Sequence, residues 1–222
     1  MIAVVTLLLS VLLSIAMCEA EEAKFVPLFN GKSLDGWEGA VEGYTVKDGM
    51  LVCREGAIGN LLTKQEFSDF ELSFEFLLAP DANNGLAIRA PLEGDAAYVG
   101  MELQIIDNET KKYGELQDFQ YHGSLYGVAP ALRGHQKPAG EWNKQEVHCV
   151  GRNITVTLNG TKILDVDLDK VAPNGETIDH KDHPGLARKS GRVGFLSHGD
   201  RVSFRNIMIK DLSNSPTAKA DN

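Results

Sequence analysis

The chain has 222 residues, 43% of them apolar, and its 22 Lys plus Arg against 31 Asp plus Glu give a formal net charge of −9. That length suits one large domain, and an all-β sandwich takes such a span as a single core. The acidic balance offers no basic stripe to neutralise phosphates, which argues against nucleic acid and anionic membrane surfaces as partners.

Met1 to Met17 is almost continuously apolar and runs into Cys18-Glu19-Ala20. This reads as a signal peptide of residues 1–20, cleaved after Ala20. The stretch falls short of the ~20 apolar residues of a transmembrane helix. The expectation is therefore export to the periplasm or the exterior, with no membrane attachment after cleavage. A lipid anchor on Cys18 is the lesser alternative, because Met17 is bulkier than the small residue such signals prefer. Cleavage leaves Cys53 and Cys149, both in strand-like runs, and two buried thiols are expected rather than a bridge.

A single domain is expected over residues 21–212. Short runs with period-two alternation recur between Gly, Asn and Asp punctuation, and no useful 3.6-residue stripe appears. Strands are expected at Tyr44–Val46, Met50–Arg54, Phe70–Leu78, Leu86–Ala90, Val99–Ile105, Gln145–Gly151, Asn153–Asn159, Lys162–Leu164, Val193–Ser197 and Val202–Asp211. Asn159-Gly160 reads as a hairpin turn. So many strands require two packed faces, giving an all-β, two-sheet antiparallel sandwich of the jelly-roll kind. Two long stretches, Asn108 to Asn143 and Asp167 to Gly191, break the rhythm and are where substrate contacts are expected. From Ser213 to the end (213–222) the chain is small and polar, and a disordered tail is expected.

If the apolar sides of these strands share the core, the opposite sides carry Glu71, Glu75, Arg89, Glu102 and Gln104, with His198 ending a late strand. A solvated outer face explains Glu71 and Glu75 as well as a binding role does. Arg89 and Glu102 stand alone in apolar strands, where charges are paired or kept for a site. Glu102 and Asp107 have roughly the spacing of the carboxylates of retaining β-glucanases, although Gln104 stands where those have an acid and a bulge would be needed to bring the two together. His180 and His183 in Asp179-His180-Lys181-Asp182-His183 suggest metal ligands, but Lys181 between them opposes a cation and a solvated loop is preferred. Trp142 reads as core and Tyr126 as a pocket wall.

Several segments in order resemble the 3-keto-disaccharide hydrolase family, which has a concanavalin A-like lectin/glucanase fold. They are Pro27 to Trp37, Asp69 to Leu72, Asn83 to Arg89, Met101 to Asn108, Leu125 to Gly127, Lys137 to Asn143, Gly194 to Gly199 and Phe204 to Ile207. The resemblance implies an exported carbohydrate-active enzyme acting on glycosides already oxidised at C3 by a separate oxidoreductase. A C3 ketone acidifies the C2 proton, so a base can form an enolate, the C1 aglycone leaves by elimination, and water adds. The catalytic candidates are Glu102 and His198 as base and acid, in either order, Arg89 and Gln104 as donors, and Asp107 as orienter. Glu71, Glu75, His122, Tyr126, Lys137 and Trp142 are candidate substrate contacts. A divalent metal could assist the enolate, though no ligand motif requires one. A glucanase-like glycosidase, a non-catalytic sugar-binding module and a structural envelope protein remain the alternative readings.

Overall fold

A computed structural model describes residues 23–213, so the expected signal peptide and nearly all of the expected tail lie outside the described residues. Among the described residues thirteen strands form two antiparallel sheets. The larger sheet contains β1 (Val26–Pro27), β3 (Tyr44–Lys47), β4 (Met50–Cys53), β6 (Phe70–Leu78), β9 (Asn143–Val150), β10 (Asn153–Leu158), β11 (Thr161–Asp167) and β13 (Val202–Asp211). The smaller has β2 (Trp37–Gly39), β5 (Ile58–Thr63), β12 (Arg192–His198), β7 (Asn83–Ala90) and β8 (Met101–Ile106), in that spatial order. A one-turn helix, α1 (Ala96–Val99), links β7 to β8.

Alternation decides which side of each strand enters the core. Along β6, Leu72, Phe74 and Phe76 are buried while Glu71, Ser73 and Glu75 are half-buried on the other side. From the facing sheet, Leu86, Ile88, Leu103, Ile105 and Phe195 point inward to meet them. Phe195 stacks on Phe204 with ring centroids 3.8 Å apart and meets the edge of Phe74 at 5.7 Å. Each such fully buried side chain is worth roughly 1.5–3 kcal/mol of transfer free energy. The sandwich expected from the alternation is therefore the one observed.

Three strands were not legible: β1 has two residues, β2 has three, and β5 carries Gly59-Asn60 inside Ile-Gly-Asn-Leu-Leu-Thr, which reads as a turn. Val99 belongs to α1 rather than to the start of β8. Cys53 and Cys149 are both buried and free, as expected of two thiols. Among the described residues no helix is long and apolar enough to cross a membrane.

Strand β8 is buried along its whole length, on both sides. Met101, Leu103 and Ile105 face the core, so Glu102, Gln104 and Ile106 face outward yet are covered. The cover is the first long loop. It returns along the free edge of β8, with Gly123 and Tyr126 donating to the carbonyls of Gln104 and Glu102 and Ser124 accepting from Gln104 N. Closing the edge this way satisfies its backbone groups and builds a wall over the outward face.

Candidate active site

The covered face of β8 opens into a cavity of about 210 Å³. Its floor is Glu102, Gln104 and Ile106 from β8, with Asn83 from β7 and His198 from the end of β12. One wall is α1, contributing Ala97, Tyr98 and the capping residue Asp95, whose carboxylate accepts from Ala97 N at 3.2 Å. The opposite wall is the first long loop, with Tyr113, Leu116, Gln120 and Tyr126. Three tyrosines around a carboxylate, an amide and an imidazole make a small polar pocket with aromatic sides.

Glu102 is 4% exposed, and its Oε1 is buried without a hydrogen-bond partner among the described residues. His198 Nε2 lies 3.9 Å from that oxygen, an ion-pair separation rather than a hydrogen bond. Burial pushes the Glu102 carboxyl above the usual carboxylate range, and the His198 imidazole recovers part of that shift. His198 is raised in turn, first by Glu102 and against its own partial burial, with Asp95 and Asp200 adding to the field. The pair thus holds a carboxylate more basic than usual beside an imidazole that keeps its proton to higher pH than usual.

These two residues come from strands separated by β7, and the space between them is a missing side chain. Gly85 on β7 pairs with Gln104, next to the Ala87–Glu102 pair. A Cβ added at Gly85 would fall inside the Glu102 carboxylate, 2.7 Å from its Cδ. The carboxylate therefore lies across a bare stretch of β7 to approach His198. Gln104 turns its Oε1 back to Ile105 N at 3.2 Å, which leaves its amide nitrogen without a protein partner among the described residues and available to a ligand.

The remaining expected site residues are elsewhere. Arg89 is 1% exposed and its φ is +48°, so strand alternation no longer predicts its direction. Its guanidinium reaches the end of the sandwich, donating to the carbonyls of Ser68 and Gly151 at 2.9 and 2.8 Å and pairing with Asp69 at 3.1 Å. It does not line the cavity. Asp107 accepts from the backbone N–H of Asp81 and Glu109 and fixes a turn. It does not share the cavity with Glu102, so a glucanase-like carboxylate pair does not form there.

Glu71 and Glu75 sit on the outer face of the larger sheet, on the far side of the core from Glu102. Glu75 pairs with Arg205 and Asn206, whose hydrogen bonds hold its carboxyl low against the opposing effect of burial. Trp142 is half-buried on that same side under the Arg205 guanidinium, 4.0 Å from its ring, rather than in the core. Lys137 is exposed and donates to the Trp142 carbonyl at 3.1 Å. His122 is core, not pocket wall. Its ring lies 4.9 Å from Phe76 and beside Gln145, and burial drives its pKa down to about 3. Tyr126 is a pocket wall as expected, half-buried, edge-on to Phe119 and 3.4 Å from Gln120 Nε2.

Sequence reasoning missed Asn83, Asp95, Tyr98, Tyr113 and Gln120. Asp95-Ala96-Ala97-Tyr98 carried a usable signal, an Asp at a helix N-cap, but four residues of helix are too few for periodicity to reveal. Among the described residues no group of three or more His, Cys, Asp or Glu is arranged to hold a metal ion. His183 is buried and paired with Asp179 rather than solvated.

The chain is similar to known proteins over almost all of this architecture. A 3-keto-disaccharide hydrolase of Bacteroides thetaiotaomicron is 25% identical over an alignment of 227 positions, covering 85% of this chain and 78% of that protein. A crystal structure from Parabacteroides distasonis, provisionally named a glycosyl hydrolase, superposes with a TM-score of 0.74 at 30% identity, covering 85% of this chain and all (100%) of that one. A Bacillus subtilis protein of galectin-like fold reaches a TM-score of 0.55 at 14% identity over 85% and 94% of the two chains, a likeness of fold alone. The family described as the 3-keto-alpha-glucoside-1,2-lyase-like domain matches residues 24–210, and the chain belongs to it.

Proposed function

We propose that this chain is an exported enzyme that cleaves glycosides already oxidised to a ketone at C3, by elimination followed by hydration. The observation that carries the reading is the buried Glu102 carboxylate, with one oxygen unpartnered, beside His198 at the floor of a pocket sized for one sugar ring. A carboxylate desolvated in this way is a stronger base than one in water, which suits removal of a proton from carbon next to a ketone. The family and the Bacteroides relative support a keto-sugar as the substrate class.

In this mechanism Glu102 takes the C2 proton and the electron pair moves onto the C3 oxygen as an enolate. The C3 carbonyl re-forms, a double bond forms between C1 and C2, and the C1–O bond to the aglycone breaks. Protonated His198 gives the departing oxygen its proton. Neutral His198 then takes a proton from water as hydroxide adds to C1, and Glu102, its proton exchanged with solvent, protonates C2. Atoms and charges balance to a net hydrolysis. Gln104 donates its free amide N–H to a sugar oxygen, and Tyr126 packs against the ring. A separate oxidoreductase must install the ketone, and residues 1–20 direct the chain out of the cytoplasm.

The test is to incubate the protein with a 3-keto-glucoside and with its unoxidised parent, following aglycone release with and without a chelator. Release from the keto form alone is expected. Release from the parent would contradict the elimination mechanism, and binding of both sugars without turnover would instead indicate a sugar-binding module.

A further inference from the structure

Tyr98 lines the cavity from α1, and the second long loop holds it from behind. Lys181 Nζ lies 2.8 Å from Tyr98 Oη and 5.1 Å from the ring centroid, while the His183 ring packs on the other residue's ring at 4.8 Å. An ammonium group has donors and no acceptor. The phenol oxygen therefore accepts from Lys181, and its own proton must point elsewhere. No further protein partner takes that proton among the described residues, which leaves it to water or to a ligand in the cavity that Tyr98 lines.

The loop is built to hold Lys181 in place. Asp179 Oδ1 accepts from Lys181 N at 3.1 Å, Thr177 Oγ1 lies 2.9 Å from the Lys181 carbonyl, and Asp179 pairs with His183 at 3.1 Å. The Asp179 and His183 side chains are 4% and 2% exposed. They dock on Gly127, where φ is +73° and a Cβ would lie 2.7 Å from His183 Nε2. Gly127 follows Tyr126, so the loop braces two tyrosines of the cavity at once. This gives Asp179, Lys181 and His183 of the Asp-His-Lys-Asp-His run a structural role.

We propose that Tyr98 is the hydrogen-bond donor to the C3 oxygen as it becomes the enolate, with Lys181 its positioning residue. The inference rests on the elimination reading above. As Glu102 removes the C2 proton, charge develops on the C3 oxygen and the Tyr98 O–H bonds to it without transferring its proton. Lys181, bonded to the phenol oxygen, polarises that O–H. Removing one such preorganised donor costs on the order of 10²–10³ in kcat elsewhere.

The test compares Tyr98→Phe, Lys181→Met, the double variant and Lys162→Met, an exposed lysine paired with Asp165 on β11, on a 3-keto-glucoside. Tyr98→Phe is expected to lower kcat about 100-fold with KM within about threefold, and Lys181→Met to lower kcat about tenfold. The double variant should be no slower than Tyr98→Phe, because Lys181 acts through the phenol, and Lys162→Met should match wild type. Full kcat in Tyr98→Phe or Lys181→Met, or a rise in KM alone, would overturn the proposal while the elimination reading stands. Multiplying effects in the double variant would overturn the positioning role of Lys181. A wild-type protein silent on the keto-glucoside would instead remove the elimination reading, and this inference with it. Lys181 is exposed, so its variant reports even where Tyr98→Phe disturbs the wall.

Discussion

Arg89 and Glu102 look alike in the sequence and do opposite things in the fold. Each is a lone charge in an apolar strand, on neighbouring strands of the same sheet, and each is buried. Arg89 at the closed end has backbone carbonyls and Asp69 as acceptors, so every nitrogen of its guanidinium has a protein partner. Glu102 at the open face has an oxygen with no hydrogen-bond partner among the described residues, only the His198 imidazole at ion-pair distance, and a cavity in front of it. A buried charge that is fully satisfied holds structure together; one left incomplete costs stability and is retained for what completes it. Completeness of the partners, not burial, separates the two regions.

Substituting these residues should separate them experimentally. Glu102→Gln keeps shape and removes the base, so aglycone release from a 3-keto-glucoside should fall at least about 1,000-fold, roughly 4 kcal/mol in activation free energy. The same change relieves a desolvated carboxylate, so urea unfolding should show it gaining about 1 kcal/mol in stability. A loss of stability there would place Glu102 in the Arg89 class. Arg89→Ala should cost about 3–5 kcal/mol in the same unfolding measurement, because Asp69 and the carbonyls lose their donor. The fraction that remains folded should keep wild-type kcat; a specific loss would return Arg89 to the chemistry.

Smaller effects sharpen the contrast. Gly85→Ala pushes the Glu102 carboxylate off β7 and should lower kcat about 10–100-fold, with partial recovery when Glu102 is shortened to Asp. NMR titration of His198 should show its raised pKa returning toward the ordinary histidine value in Gly85→Ala. The pH profile of kcat/KM should be a bell with both limbs displaced upward, the acid limb above the ordinary carboxylate range and the alkaline limb above that of free histidine. In His198→Ala the acid limb should move higher still, since the imidazolium is what restrains Glu102.

A separate effect concerns stability against acid. His122 is neutral in the core down to about pH 3, whereas an unfolded histidine takes a proton near pH 6.5. Its folded pKa is depressed, so the unfolded state binds the extra proton and stability falls as pH drops from about 6.5 toward 3. His122→Phe should flatten that part of the unfolding curve measured by circular dichroism, without altering the kcat profile.

The sandwich was legible because alternation is a local signal, as in Phe70 to Leu78, and because both faces of so many strands demand a second sheet. Its limits were equally local. Alternation says that Glu75 and Glu102 both point away from the core, but not that they do so on opposite outer faces, because that depends on which sheet each strand joins. It failed at Arg89, where a left-handed backbone redirects the side chain. Glu102, Gln104, His198 and Tyr126 were found through polarity in apolar surroundings and through resemblance. Tyr98 and Lys181 were not, since their meeting is a tertiary contact between a one-turn helix and a loop more than eighty residues away.

The central claim is that Glu102 removes the C2 proton, and solvent deuterium exchange tests it most directly. Wild-type protein incubated with a 3-keto-glucoside in D2O should place deuterium at C2 of the released 3-keto-sugar. Glu102→Gln should abolish that exchange, while His198→Ala should retain exchange at C2 of the uncleaved keto-glucoside and lose most aglycone release. Exchange at the wild-type rate in Glu102→Gln would contradict the account and move the base to another residue of the cavity.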